Sequence, residues 1–207
     1  MTRRAPTAPT TETVESIDGR TMRRNRNRAA VISALLTMIR EGDLHPGAAE
    51  IAQRAGVSHR SIFRYFDDLD DLVRTAIDQA FTEAETLTAV PDAGGDLAAR
   101  AAAIVDARIA LYEYVDGPMQ VARMRAGSIP AIDEELAEIA GQFRRQIADH
   151  FAPELSRLAE SERRRLVDAV LVLTSYDSFA IHVRLLRHDT ATIRAGWSTA
   201  LVALLGS

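Results

Sequence analysis

Cysteine is absent from the chain's 207 residues, and with it go disulfides, thiolate zinc sites and cysteine nucleophiles. Lysine is absent too: all 25 basic residues are arginine, a usage that a GC-rich genome explains without appeal to function. No run of eighteen apolar residues occurs, and the opening MTRRAPTAPTTETVESIDGR lacks the apolar stretch of a secretory signal. Membrane insertion and export are therefore not expected, and a cytoplasmic location is. The sequence has no Gly-rich phosphate loop, G-x-S-x-G elbow or other local catalytic signature, so no catalytic residue is assigned and an enzyme is not expected. The five histidines lack zinc-protease spacing, and Asp67, Asp68, Asp70 and Asp71 lack the glycine and downstream glutamate of a calcium loop. Neither a metal nor a cofactor is expected.

What the chain does contain is enough apolar residue, 47 %, to bury a sizeable core in one or two domains. Its net charge of −4 hides an uneven distribution. Residues 1–66 carry eleven arginines against six acidic residues, and residues 67–207 carry fourteen against twenty-three. Such a split suggests a basic recognition end and an acidic body.

The period of the apolar residues is helical throughout, and no segment has a strand pattern, so the fold class is all-α. Residues 1–20, rich in Thr, Pro and charge, are expected to form a disordered tail. Val31, Ala34, Leu35 and Met38 mark a helix from about Arg24 that Gly42 stops. Pro46 and Gly47 suit entry to a second helix, with Ile51 and Ala55 inward and Gly56 supplying its C-terminal turn. Ser58 is placed to cap a third, in which Ile62 and Phe66 share a face. A fourth begins at the acidic DDLDDL, whose charge suits a helix N-terminus, and runs to about Ala89, where PDAGG breaks the chain. Further helices are predicted near 96–115, 118–127, 131–151, 160–187 and 189–205. The domains so drawn are 21–72, with a connecting helix to about 90, and 91–207.

Two short helices joined by a tight glycine turn form a helix-turn-helix, stable only when a third helix covers its apolar side. With Ile62 and Phe66 inward, Arg60, Phe63 and Arg64 point outward together. Arginine can hydrogen bond guanine O6 and N7 or hold phosphates, as a major-groove reader must. Arg20, Arg23, Arg24, Arg26 and Arg28, in RTMRRNRNR, suggest an arm that follows the DNA backbone or enters the minor groove.

Residues 24–72 resemble the DNA-binding domain of the TetR family of bacterial transcription regulators: EIAQRAGVSHRSIFRYF fits its pattern I-A-x-x-A-G-V-S followed by an apolar-aromatic-x-Tyr-Phe ending. The resemblance implies that Ser58, His59, Arg60, Ser61, Phe63, Arg64 and Tyr65 touch double-stranded operator DNA. Three positions depart from the pattern. Gly47 stands where a Thr is frequent, leaving bare amides as the phosphate donors there. Phe63 replaces a frequent Tyr, and Leu69 replaces a frequent phosphate-binding Lys. The alternative these departures leave open is a helical ligand-binding or scaffold protein that has lost operator binding.

For the C-terminal region the family implies a ligand-binding and dimerisation domain. Leu166, Val170, Leu173 and Ile181 run down one side of the 160–187 segment, and Val167, Leu171 and Leu185 down another; the next helix adds Ile193, Trp197, Leu201 and Leu204. A segment apolar on two sides is either central to its own domain or covered by a partner. The resemblance favours a homodimer packed through Val170, Leu171, Ile181, Leu185, Ile193, Trp197, Leu201 and Leu204. Arg108, Tyr112, Met119, Met124, Phe143, Tyr176, Asp177, Phe179 and His182 are bulky or polar residues in apolar segments, as a mixed pocket for a small apolar or amphipathic effector requires.

Overall fold

The structure is a computed structural model that describes residues 11–91 and 94–206. Every regular element among them is helical: α1 Thr11–Arg40, α2 Ala48–Ala55, α3 His59–Tyr65, α4 Leu69–Ala84, a 3-10 turn Glu85–Thr88, α5 Leu97–Arg125, α6 Pro130–His150, α7 Ala152–Leu155, α8 Glu160–Leu173, α9 Tyr176–Ala180, a π turn Ile181–Leu185 and α10 Thr190–Leu205. The chain divides into two compact units, Met1–Ala76 and Ile77–Ser207, so that the division falls inside α4.

In the first unit α1 covers the helix-turn-helix. Val31, Leu35 and Ile39 of α1 are buried, as are Ile51 and Ala52 of α2 and Ile62 and Phe66 of α3 and its cap. Gly56 ends α2 at φ +67°, where a Cβ would be strained, and its N–H reaches back to the Gln53 carbonyl. Asp68 and Asp71 secure the start of α4: the Asp68 carboxylate accepts the Asp71 N–H at 2.8 Å, and that of Asp71 accepts the Asp67 N–H at 3.2 Å.

α1 departs from expectation. It begins at Thr11, ahead of the expected Arg24 start, and takes in half of the segment expected as a tail; residues 1–10 lie outside the described residues. No proline occurs between Pro9 and Pro46, and extending a formed helix is far cheaper than nucleating one.

The second unit packs α5 against α6, α9 and α10, and α8 against α6 and α10. Its core holds Ile104, Ile109, Tyr112, Val115, Phe143, Ile147, Val170, Phe179 and Trp197. Two breaks differ from the sequence reading. Pro118, expected to separate two helices, lies buried within the continuous α5. Packing overrides the missing N–H, and the Tyr176 hydroxyl steadies the turn by donating to the Asp116 side chain at 2.8 Å. Conversely, the expected single helix over 160–187 breaks after α8. The Thr174 hydroxyl bonds back to the Val170 carbonyl, the Tyr112 hydroxyl donates to the Thr174 carbonyl, and Ser175 caps α9 through the Ser178 N–H.

Candidate nucleic-acid interface and ligand cleft

α3 is held from beneath and open above. Ile62 is fully buried and Phe66 nearly so, while His59, Arg60, Phe63 and Arg64 are exposed. Among the described residues no carboxylate pairs with Arg60 or Arg64. The Phe63 ring rests edge-on against His59, centroids 5.2 Å apart, so this apolar side chain is braced on the outer face.

Several residues expected at the interface are differently engaged. Ser58 stands at the N-cap position of α3, but its hydroxyl does not cap; it shares a 2.8 Å hydrogen bond with that of Ser61. Tyr65 is turned inward and buried, and its hydroxyl accepts from Asn27 at 3.3 Å and from Arg64 at 2.8 Å. The Asn27 hydrogen bond, with Arg64 alongside, holds the phenol below its usual value against the opposing pull of burial. Arg64 also lies over the Tyr65 ring, 5.0 Å from its centroid. The Gly47 amide is occupied as well: it donates to the Glu50 carboxylate at 2.8 Å, which sets a negative charge on the start of α2. The arginine arm is no extended strand. Arg23, Arg24, Arg26 and Arg28 are turns of α1, Arg24 and Arg26 exposed and Arg28 stacked 4.9 Å from the Phe66 ring centroid. A helix cannot thread the minor groove as an extended arm does. Asn27, which fixes Tyr65, escaped the sequence reading because a polar residue on a basic helix face carries no distinguishing period.

The second unit contains a cleft of about 550 Å³ lined by the end of α4, the following 3-10 turn, α5 and the first half of α6. Of the nine expected pocket residues, Tyr112, Met119 and Phe143 line it. Arg108 lies behind its wall, fully buried, with its guanidinium 3.7 Å from the Phe143 ring centroid. It donates to the Gln146 side chain at 2.6 Å, and Gln146 donates to the Thr88 carbonyl at 2.7 Å. Burial lowers the pKa of Arg108 and pushes that of Tyr112 up to about 12. Tyr176 and Phe179 are core residues whose rings meet that of Tyr112 with centroids 5.7 Å apart, Tyr176 edge-on and Phe179 tilted. The other three sit elsewhere. Met124 is exposed, Asp177 forms an exposed ion pair with Arg123 at 2.5 Å, and His182 shares a 2.9 Å Nδ1–Nδ1 hydrogen bond with His188.

The expected dimer residues separate into two groups. Val170, Ile193, Trp197 and Leu201 are buried within the protomer and cannot meet a partner. Ile181, Leu185 and Leu204 are exposed, and Leu171 is half-buried. Val172, Val183, Leu186 and Val202, which sequence reasoning missed, are exposed along the same stretch of chain from α8 to α10.

Residues 31–76, which include the whole helix-turn-helix, match the sequence profile of bacterial regulatory proteins of the tetR family. The match identifies residues 31–76 as a tetR-type DNA-binding domain. The TetR fold extends over the second unit as well. A TetR-family transcriptional regulator from Streptomyces coelicolor superposes with a TM-score of 0.70 at 16 % identity, over 87 % of this chain and 80 % of that one. A transcriptional regulator from Rhodococcus sp. Rha1 gives 0.66 at 17 % identity, over 88 % and 96 %. No curated protein matches the chain. The matched domain and the shared fold support a DNA-binding regulator.

Proposed function

We propose that this regulator is a cytoplasmic, homodimeric repressor released from its operator by a small molecule. Each protomer sets α3 into a major groove, and the two sites lie about 34–36 Å apart on a near-palindromic operator, one helical turn of DNA. The observation that carries this reading is the outer face of α3, where Arg60, Phe63 and Arg64 stand over a fully packed underside with no carboxylate of the described chain paired to either arginine. Arg60 reads a base, while Arg64, stacked on Tyr65, holds the backbone. Arg24 and Arg26 add phosphate contacts from the helical extension of α1. The exposed apolar residues from Val172 to Leu204 supply the two-fold interface.

The effector enters the cleft of the second unit, whose volume suits a drug-sized ligand. Asp78 and Phe81 on its wall belong to α4, the helix whose first half lies in the DNA-binding unit. A ligand with unequal affinity for two positions of that helix shifts the spacing of the reading helices; equal affinity shifts nothing. The test is a gel shift on DNA flanking the gene, with single-base operator variants. Arg60→Ala should relax preference at one base position at a cost of about 1–3 kcal/mol. A uniform loss over all sequences would assign Arg60 to phosphate instead, and failure of every fragment to shift would favour the ligand-binding or scaffold alternative.

A further inference from the structure

The cleft is apolar within and negative at its mouth. Phe81, Leu111, Tyr112, Val115, Met119 and Phe143 provide aromatic and aliphatic surface. Asp78 and Glu85 reach it from the α4 side, and Glu134, Glu135 and Glu138 from the first turns of α6; neither arginine nor histidine lines it. Elsewhere in this unit carboxylates are matched by arginine, in Arg123–Asp177, Arg144–Asp168, Arg184–Asp116, Arg194–Asp106 and Arg100–Glu154. Around the cleft this matching is incomplete. Among the described residues Asp78, Glu85, Glu134 and Glu138 have no ion-pair partner. Glu134 and Glu138 stand one turn apart on α6, a spacing at which like charges repel. Arg108 does not relieve them at the surface, because it is sealed behind Phe143.

From this charge complementarity we propose that the cleft takes an amphipathic organic cation. Its apolar body lies on the Phe81, Tyr112, Met119 and Phe143 surface, where aromatic faces favour a cation as well. Its positive centre sits among the carboxylates of α6 and of the α4 side. An organic anion of the same shape is excluded by like charge. The inference rests on the reading of this cleft as the effector pocket.

The experiment is calorimetric titration of the full chain, without DNA, with three probes of matched shape: tetraphenylphosphonium, neutral triphenylphosphine oxide and anionic tetraphenylborate. The cation should bind more tightly than the neutral probe, and the anion not at all. Glu134→Gln/Glu138→Gln, which leaves the apolar floor intact, should weaken the cation about tenfold and flatten its salt dependence. Equal or tighter binding of the neutral or anionic probe, no binding of the cation, or wild-type cation affinity in the glutamine variant would each overturn the proposal. A parallel gel shift separates the two readings. A cation that binds without releasing DNA sinks the effector role and leaves the cation site standing. Release by neutral or anionic compounds alone sinks the cation and leaves the effector role.

Discussion

Leu185 gives the sharpest test of the proposed dimer. It leaves 74 % of its surface in solvent on the π turn, beside Ile181 at 51 % and Leu186 at 49 %. Fully covering a leucine is worth about 1.5–3 kcal/mol, so covering the exposed three-quarters yields roughly 1–2 kcal/mol per copy. A two-fold interface uses each residue twice, which brings the contribution to about 2–4 kcal/mol per dimer. At about 1.4 kcal/mol per tenfold, Leu185→Asp should raise the dimer dissociation constant by roughly 30- to 1,000-fold. Burying the new charge adds to that. Leu201→Ala is the control. Leu201 is fully buried in the protomer, so its truncation should cost about 2–5 kcal/mol of folding stability and leave the dimer constant, measured well below the melting temperature, near wild type. Sedimentation equilibrium across a concentration series reads both. Wild-type association of Leu185→Asp, or an equal shift from Leu201→Ala, would refute the assignment of these two residues to opposite sides of the protomer surface.

Two further outcomes concern stability. Gly56→Ala should cost about 1 kcal/mol in thermal or denaturant unfolding, because the site has φ +67° and open space where a Cβ would stand, leaving backbone strain as the only penalty; an unchanged midpoint would count against it. His182 is held below its ordinary value of about 6.5 by burial and then by His188. A depressed folded value means that its contribution is complete above about pH 6.5 and is lost as pH falls through that lower value. The shared Nδ1–Nδ1 hydrogen bond also requires one ring nitrogen to accept, so it cannot survive protonation of both rings. Relative to His182→Asn, wild type should lose stability as pH falls below about 6.5 in denaturant titrations; parallel profiles would refute the account.

The first unit was legible because each residue type had one structural use. Ile51, Ile62 and Phe66 recur at helical spacing and are buried, and Gly56 stands where only the left-handed region continues the turn. In the second unit the same signals were ambiguous. Pro118 reads as a stop, yet buried packing on both sides carries α5 through it. Thr174 and Ser175 read as ordinary helix residues, yet their hydroxyls take the backbone partners that end α8 and start α9. That break resets the helical phase. Val170 therefore faces the core while Ile181, drawn on the same stripe from sequence, is exposed. The cleft's acids were hidden for a different reason: Glu134 and Glu138 look like solvated residues near a helix start, and only the fold brings Asp78 and Glu85 to the same opening.

Arginine and carboxylate placement ties the two units together as chemistry. In the first unit the acidic run after α3 could have neutralised Arg60 and Arg64, which lie only a few residues away. It does not, because Asp68 and Asp71 are turned onto backbone amides at the start of α4, and Asp71 also holds Arg74 at 2.8 Å. Helix-start electrostatics thus keep these carboxylates off the outer face of α3. In the second unit arginine neutralises acids along the outer helices, while Asp78, Glu85, Glu134 and Glu138 at the cleft have no ion-pair partner among the described residues. One residue type therefore produces opposite surfaces, a cationic one on α3 where Asp68 and Asp71 are engaged by amides, and an anionic one at the cleft, whose lining includes no arginine. Charge, more than shape, separates what each surface can bind, since both are built on equally apolar supports: Ile62 and Phe66 beneath α3, Phe143 and Tyr112 beneath the carboxylates.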